Sequence, residues 1–313
     1  MPPVPPLRHL LIAHAQPLPG QPTPPLPDLP HLNALFKQLR PRQRLEPDDD
    51  SPATAHELAT AAACGLPGAP HAIPWAAWAT ATTGTPCAWL SPVHLQLGLD
   101  HVLLIPPDAL PLHEADSRAL LAACAPLLAE DGLHVQHHTP GCWLATGAPL
   151  AQLRTRSPQR AASQRLTRAQ LVQADDPARQ RQLTRLMSEL EMLLASHPVN
   201  TAREAAGLLP LNALWLHGAG QLDALPPDTG VAQAQHLGQG AALHDSAVRA
   251  AAWQAIDTEL AAPLLATLHS GQPVCLTLSS PRRAITWQAT PGWRQKITGL
   301  FGRQRLSDAR EQL

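Results

Sequence analysis

The longest amphipathic segment of this chain is bounded by two prolines, and that bracketing constrains the fold around it more than any other feature. Leu183, Leu186, Met187, Leu190, Leu193 and Leu194 recur at the i, i+3, i+4, i+7 spacing of one buried helix face. Asp176 followed by Pro177 supplies an N-cap and a first-turn proline, so the helix starts near Pro177. It ends by Ser196, because His197 precedes Pro198 and a residue before proline is driven out of the α region. Beyond it, a short apolar strand at 213–216 runs into His217-Gly218-Ala219-Gly220. A strand entering a glycine-rich turn is where open α/β sheets place ligands. His197, Asn200, Arg203, Asn212, His217, Gly218 and Gly220 are therefore the candidate ligand-binding set. Arg203 with the two asparagines suits a carboxylate or a phosphate group. The alternative is that these side chains cap the helix end and satisfy backbone groups in a tight turn. His217 is read either as a proton donor or as a structural histidine at a strand end.

His197-Pro198-Val199-Asn200, Arg203, Pro210-Leu211-Asn212 and the run from Trp215 to Gly220 together resemble a segment of the archaeal-type, cofactor-independent phosphoglycerate mutases. They resemble more closely the RpfE-type regulatory proteins, which look like shortened relatives of those enzymes. Trp89-Leu90-Ser91-Pro92-Val93-His94-Leu95 and Asp100-His101-Val102-Leu103-Leu104 extend the likeness toward the N-terminus. The resemblance implies an α/β fold: a degenerate alkaline-phosphatase-like sheet flanked by helices, with an inserted α+β subdomain. It also implies a test of chemistry. The mutases use two divalent metals beside a serine or threonine nucleophile, which requires about half a dozen Asp and His ligands. Where the family's first strand ends in Asp-Gly, this chain has His14-Ala15-Gln16, and where a late strand runs into Gly-Asp-His it has Ser279-Ser280-Pro281-Arg282. The segment with His244-Asp245 and Ile256-Asp257 resembles the family, and the resemblance leaves room for a ligand or two there, too few for a two-metal site. Ser51 or Thr54 can be offered as nucleophile, but a hydroxyl near its free pKa is a poor one without metals. No catalytic residue is assigned, and neither a metal nor another cofactor is expected.

At 313 residues the chain can form one large α/β domain with an insertion, or two domains. The expected division is 1–85 and 176–313 for the α/β core, 86–150 for the inserted subdomain and 151–175 for an Arg-rich linker. Expected strands are 8–13, 87–90, 99–105, 133–137, 142–145, 274–278 and 284–288. Expected helices are 31–39, 53–64, one starting at Pro74, 114–129, and 246–268 kinked at Pro263. Residues 41–52 read as a solvated connection, and 293–305 as a docked amphipathic tail.

Formal charge is -1, which implies neither a nucleic-acid footprint nor an acidic tail. Arg154, Arg156, Arg160, Arg165, Arg168, Arg179, Arg181 and Arg185 form a basic stretch without interleaved aromatics to stack on bases, so it reads as a solvated face. His134, His137 and His138 point to opposite faces of a strand, while His94 and His101 flank a hairpin. Cys64, Cys87, Cys124, Cys142 and Cys275 are widely spaced and mostly inside apolar runs, as in a reduced cytoplasmic protein. No apolar run reaches the roughly 18 residues of a membrane span. The leading expectation is a regulatory or ligand-binding protein without turnover, taking a small phosphorylated or carboxylate ligand or a protein partner. One alternative is a mutase or phosphatase with a rearranged site using Ser51 or Thr54 with His244 and Asp245, dependent on Mn or Mg. The other is an interaction module using the Arg-rich surface.

Overall fold

The computed structural model describes residues 6–16, 23–238, 245–290 and 305–313. The chain divides into two compact units: unit 1 comprises Met1–Asp50, Thr54–Gly65 and Pro226–Leu313, and unit 2 comprises Ser51–Ala53 and Leu66–Leu225. Both combine a multi-stranded sheet with flanking helices.

The chain begins in unit 1 with β1 (His9–Ile12), α1 (Pro30–Phe36), β2 (Arg40–Leu45) and α2 (Ala55–Ala63). Strand β2 lies inside the expected connection 41–52. Its sequence, RPRQRL, hides a strand because it is a sheet edge: arginines face solvent and Pro41 falls beside a register shift in the pairing. Helix α2 starts from a capping box in which the Thr54 hydroxyl accepts from Glu57 N at 3.2 Å and Glu57 Oε2 accepts from Thr54 N at 2.7 Å. Replacing Thr54 by Ala is expected to lower the stability of unit 1 by about 1 kcal/mol, read as a shifted urea midpoint with unchanged slope. An unchanged midpoint would mean that the box contributes nothing net.

Unit 2 follows with α3 (Trp75–Ala79), β3 (Cys87–Leu97), β4 (Val102–Ile105), α4 (Glu114–Glu130), β5 (His134–Thr139), β6 (Cys142–Thr146), β7 (Leu153–Arg154), α5 (Pro158–Ala161), β8 (Gln173–Ala174), α6 (Pro177–Ala195), α7 (Pro198–Ala205) and β9 (Ala213–Gly220). The long β3 organises an antiparallel sheet: it pairs β6 and β9 through residues 87–93 and β4 through residues 94–97. One sheet face, with Leu90, Trp143 and Leu216, packs in the same core as Leu120 and Leu128 of α4 and Leu186 and Leu190 of α6. The buried Trp143 indole donates to Ser117 Oγ at 2.9 Å, which in turn donates to Pro140 O at 2.7 Å.

The boundaries anticipated at 85/86, 150/151 and 175/176 thus fall inside unit 2. Residues 151–175 are an integral part of it: β7 pairs with β8, and Arg160 is buried with its Nε donating to Ser51 O. Strand β9, expected in the α/β core, joins the antiparallel sheet and extends through Gly220, so the glycines lie within a strand. A register shift opposite Cys87 and Trp89 leaves Gly218 in the left-handed region at φ 59°. A Cβ there would come within 2.9 Å of Trp75 Cβ, so bulge and packing both require glycine.

Unit 1 then resumes with β10 (Val231–Ala234), α8 (Ser246–Ile256), α9 (Ala262–His269), β11 (Val274–Ser279), β12 (Ala284–Ala289) and α10 (Leu306–Glu311). Its sheet has the order β10-β1-β11-β12-β2, parallel across the first three strands and antiparallel across the rest. Phe36 meets the buried Trp287 edge to face at 5.5 Å in the core. The helix expected to kink at Pro263 instead relaxes through a π-helical turn, Asp257–Ala261, before Pro263 opens α9. Proline cannot donate to the preceding ladder, and the wider turn absorbs the interruption. The expected amphipathic tail at 293–305 lies, except for Arg305, outside the described residues. No described helix is long and apolar enough to cross a membrane.

Candidate functional site

The segment from α6 to β9 is built on backbone satisfaction. Asp176 caps α6 by accepting from Ala178 N and Arg179 N. His197 caps α7, its Nδ1 accepting from Val199 N at 3.2 Å. Asn200, 2% exposed, donates through Nδ2 to Leu194 O (2.8 Å) and Leu211 O (3.0 Å) and accepts at Oδ1 from Leu211 N (2.7 Å). That amide ties the end of α6 to the approach of β9. Arg203 donates through Nε to Leu209 O at 2.9 Å and through Nη1 to Pro111 O at 2.6 Å. Asn212 exchanges two hydrogen bonds with the backbone of Leu95 in β3, at 2.7 and 3.0 Å. Among these side chains the buried Arg203 Nη2 alone has no partner. Burial draws the Arg203 pKa below its ordinary value, partly offset by the nearby Asp116 carboxylate.

His217 sits apart from that group, its Nε2 3.0 Å from Ser91 Oγ. The pair has the outward form of a nucleophile and its base. Burial, however, pushes the His217 pKa down to about 3, and so weak a base cannot take up a serine proton at neutral pH. The other histidines are dispersed. His94 Nδ1 bonds Pro210 O, His101 pairs with Asp100, His137 lies 3.5 Å from Glu114, and His138 stacks on Trp89 at 4.8 Å. Among the described residues, no three His, Cys, Asp or Glu side chains form a group able to hold a metal.

The residues offered for a rearranged enzyme site have structural partners. Thr54 belongs to the capping box, Ser51 Oγ donates to Ala53 O at 2.9 Å, and Asp245 caps α8 through Ala247 N and Val248 N. His244 lies outside the described residues.

The carboxyl edge of the parallel strands in unit 1, where the resemblance would place metal ligands, carries different chemistry. After β1 the chain turns at His14, a non-glycine residue at φ 53°, and Ala15 N then bonds Ser279 O at the end of β11. His56 Nδ1 lies 2.8 Å from Ser279 Oγ, and burial, with His14 nearby, pushes the His56 pKa down to about 4. Two buried arginines close the edge. Arg249 of α8 donates through Nη2 to His14 O at 2.5 Å and through Nη1 to Leu237 O at 3.5 Å. Arg310 of α10 donates through Nε to Ala15 O at 3.0 Å, with its guanidinium carbon 5.7 Å from the centre of the Trp253 ring. Each arginine is 4% exposed. Burial, with Arg249 adding to it, pushes the Arg310 pKa down to about 10. Neither arginine stood out in the sequence. The signal was available in α8, where Arg249, Trp253 and Ile256 share one helix face in an otherwise small-residue segment.

No protein-family model matches the chain, and no curated protein does. Among solved structures it is similar to the cofactor-independent phosphoglycerate mutase from Thermoplasma acidophilum, with 13% identity, a TM-score of 0.38, and 92% of this chain and 90% of that one covered. It is also similar to the PH0037 protein from Pyrococcus horikoshii, with 10% identity, a TM-score of 0.41, and 94% and 90% covered. Likeness of that degree leaves any functional reading to rest on the chain's own residues.

Proposed function

We propose that this chain is a regulatory, ligand-binding protein of the cytoplasm, of the RpfE-type relatives of phosphoglycerate mutase, that takes a small phosphorylated or carboxylate ligand and performs no metal-dependent turnover. The observation that carries the reading is the pair of buried guanidiniums, Arg249 and Arg310, hydrogen-bonded to the backbone of His14 and Ala15 at the end of β1. A two-metal phosphoryl-transfer site needs carboxylates to offset four positive charges and imidazoles to complete the coordination. Buried cations at that edge repel a divalent ion and favour an anion. In this reading the segment from His197 to Gly220 is chiefly a frame, in which Arg203 Nη2 is the donor still open to a ligand. The basic stretch of the interaction-module alternative is partly engaged inside unit 2, through Arg154 with Asp175, Arg179 with Ala151 O and Arg185 with Asp131 and Glu189.

Purified protein supplied with manganese is expected to give no conversion of 3-phosphoglycerate to 2-phosphoglycerate in an enolase-coupled assay, and to retain no stoichiometric metal after gel filtration. Turnover above a denatured control that depends on the metal would establish the rearranged-enzyme alternative in its place.

A further inference from the structure

We propose that the carboxyl edge of the parallel strands in unit 1 is a binding site for a phosphate group, held between Arg249, Arg310 and the indole N–H of Trp253. This rests on the ligand-binding reading above and gives it a location. Three buried donors at this edge lack partners: Arg249 Nε, Arg310 Nη2 and Trp253 Nε1. They belong to one neighbourhood. Arg249 and Trp253 stand one turn apart on α8, Arg310 lies over the Trp253 ring, and the two arginines bond the adjacent carbonyls of His14 and Ala15. Buried polar groups in folded proteins are almost always paired, so three orphaned N–H groups on residues no more than 4% exposed indicate a partner that the chain does not itself provide.

The charge is unbalanced in the same sense. No ion pair among the described residues involves either arginine. Residues 1–5, 17–22, 239–244 and 291–304 contain no Asp or Glu to supply a side-chain carboxylate. Two neighbouring buried guanidiniums with no counter-charge are tolerable when an anion joins them.

The pattern of free donors selects among anions. A carboxylate is planar and is best met by two parallel N–H groups of one guanidinium. Here carbonyls already accept from both Nη groups of Arg249 and from the Nε of Arg310, and the wholly unpartnered donors are one atom on each of three side chains, Arg249 Nε, Arg310 Nη2 and Trp253 Nε1. Single donors from three separate side chains suit the oxygens of a tetrahedral phosphate. His56, whose Nε2 is also buried and unpartnered on this edge, adds an acceptor for a protonated phosphate oxygen or a neighbouring hydroxyl.

The test is isothermal titration of the full chain with inorganic phosphate in low-salt chloride buffer, with malonate as the dicarboxylate counterpart. The expected result is saturable one-to-one phosphate binding, weaker malonate binding, and affinity for phosphate reduced roughly tenfold or more in Arg310→Gln and several-fold in Trp253→Phe. Arg181→Gln, on the exposed side of α6, should bind as the parent does. Trp253→Phe keeps most of the ring packing while removing the N–H, so it carries the test if Arg310→Gln fails to fold by circular dichroism. Absence of saturable phosphate binding, unchanged affinity in folded Trp253→Phe, or malonate binding more tightly than phosphate would each overturn the proposal. Metal-dependent turnover in the coupled assay would instead refute the non-catalytic reading and leave a phosphate site standing.

Discussion

Asn200→Ala is expected to destabilise unit 2 by about 4 kcal/mol, a large share of the roughly 5–15 kcal/mol that a domain has in total. The side chain lost is small, so the effect comes from what it leaves behind. Leu194 O, Leu211 O and Leu211 N each lose a partner in a place where the amide itself is 2% exposed. A buried group deprived of its hydrogen bond costs about 1–3 kcal/mol, and three are affected here. Asn200→Asp should be no milder, since it replaces the amide N–H donors with a charged oxygen facing two carbonyls. Urea unfolding followed by circular dichroism measures both. A shift below about 1 kcal/mol for Asn200→Ala would show that the join between α6 and β9 does not depend on this amide.

Acidification from pH 7 to pH 4 is expected to weaken both units, by on the order of 2 kcal/mol for each largely buried histidine involved. Burial, with the Arg42 charge adding to it, pushes the His9 pKa down to about 4; burial and His14 take His56 to about 4; burial takes His217 to about 3. These groups are neutral in the fold and are protonated in the unfolded chain near their ordinary 6.5. Between that value and about 4, or about 3 for His217, the unfolded state binds more protons, so stability falls as pH falls through the window and is level above it. Urea midpoints at pH 7, 5.5 and 4.5 give the slope, and His9→Gln should remove part of it in unit 1. Midpoints that stay level down to pH 4.5 would mean these rings are hydrated in solution.

What could be read from the sequence was decided by local rules. The prolines and Asp176 bracket α6 because N-capping and the restriction before proline act within a few residues. Strand β1 and helices α2 and α4 were legible from apolar runs and their punctuation. What was not legible depended on pairing. Nothing local distinguishes β2 from a solvated connection, because its partner β12 lies more than 200 residues away. The glycines after His217 read as a turn, and only the register against β3 reveals a bulged strand. The candidate site divided in the same way. His197 caps its own helix by a local rule, whereas the backbone bonds of Asn200 and Asn212 follow only from the positions of Leu211 and Leu95. Arg249 and Arg310 could not be joined at all, since they lie on two helices some sixty residues apart that are brought together at the end of β1 and through the Trp253 ring.

The strand order of unit 1 also has a consequence in time. His9 of β1 pairs with Val231 on one side and Cys275 on the other. On a ribosome adding about 5–20 residues per second, β1 therefore leaves the exit tunnel roughly 10–50 s before either neighbour exists. Throughout that interval Leu10, Leu11 and Ile12, all fully buried in the finished protein, have no native strand to lie against, whereas the 66–225 stretch of unit 2 is synthesised without interruption. The nascent chain thus carries an unpaired apolar strand for most of its synthesis, which makes the newborn protein, more than the mature one, the form open to chaperones and to aggregation.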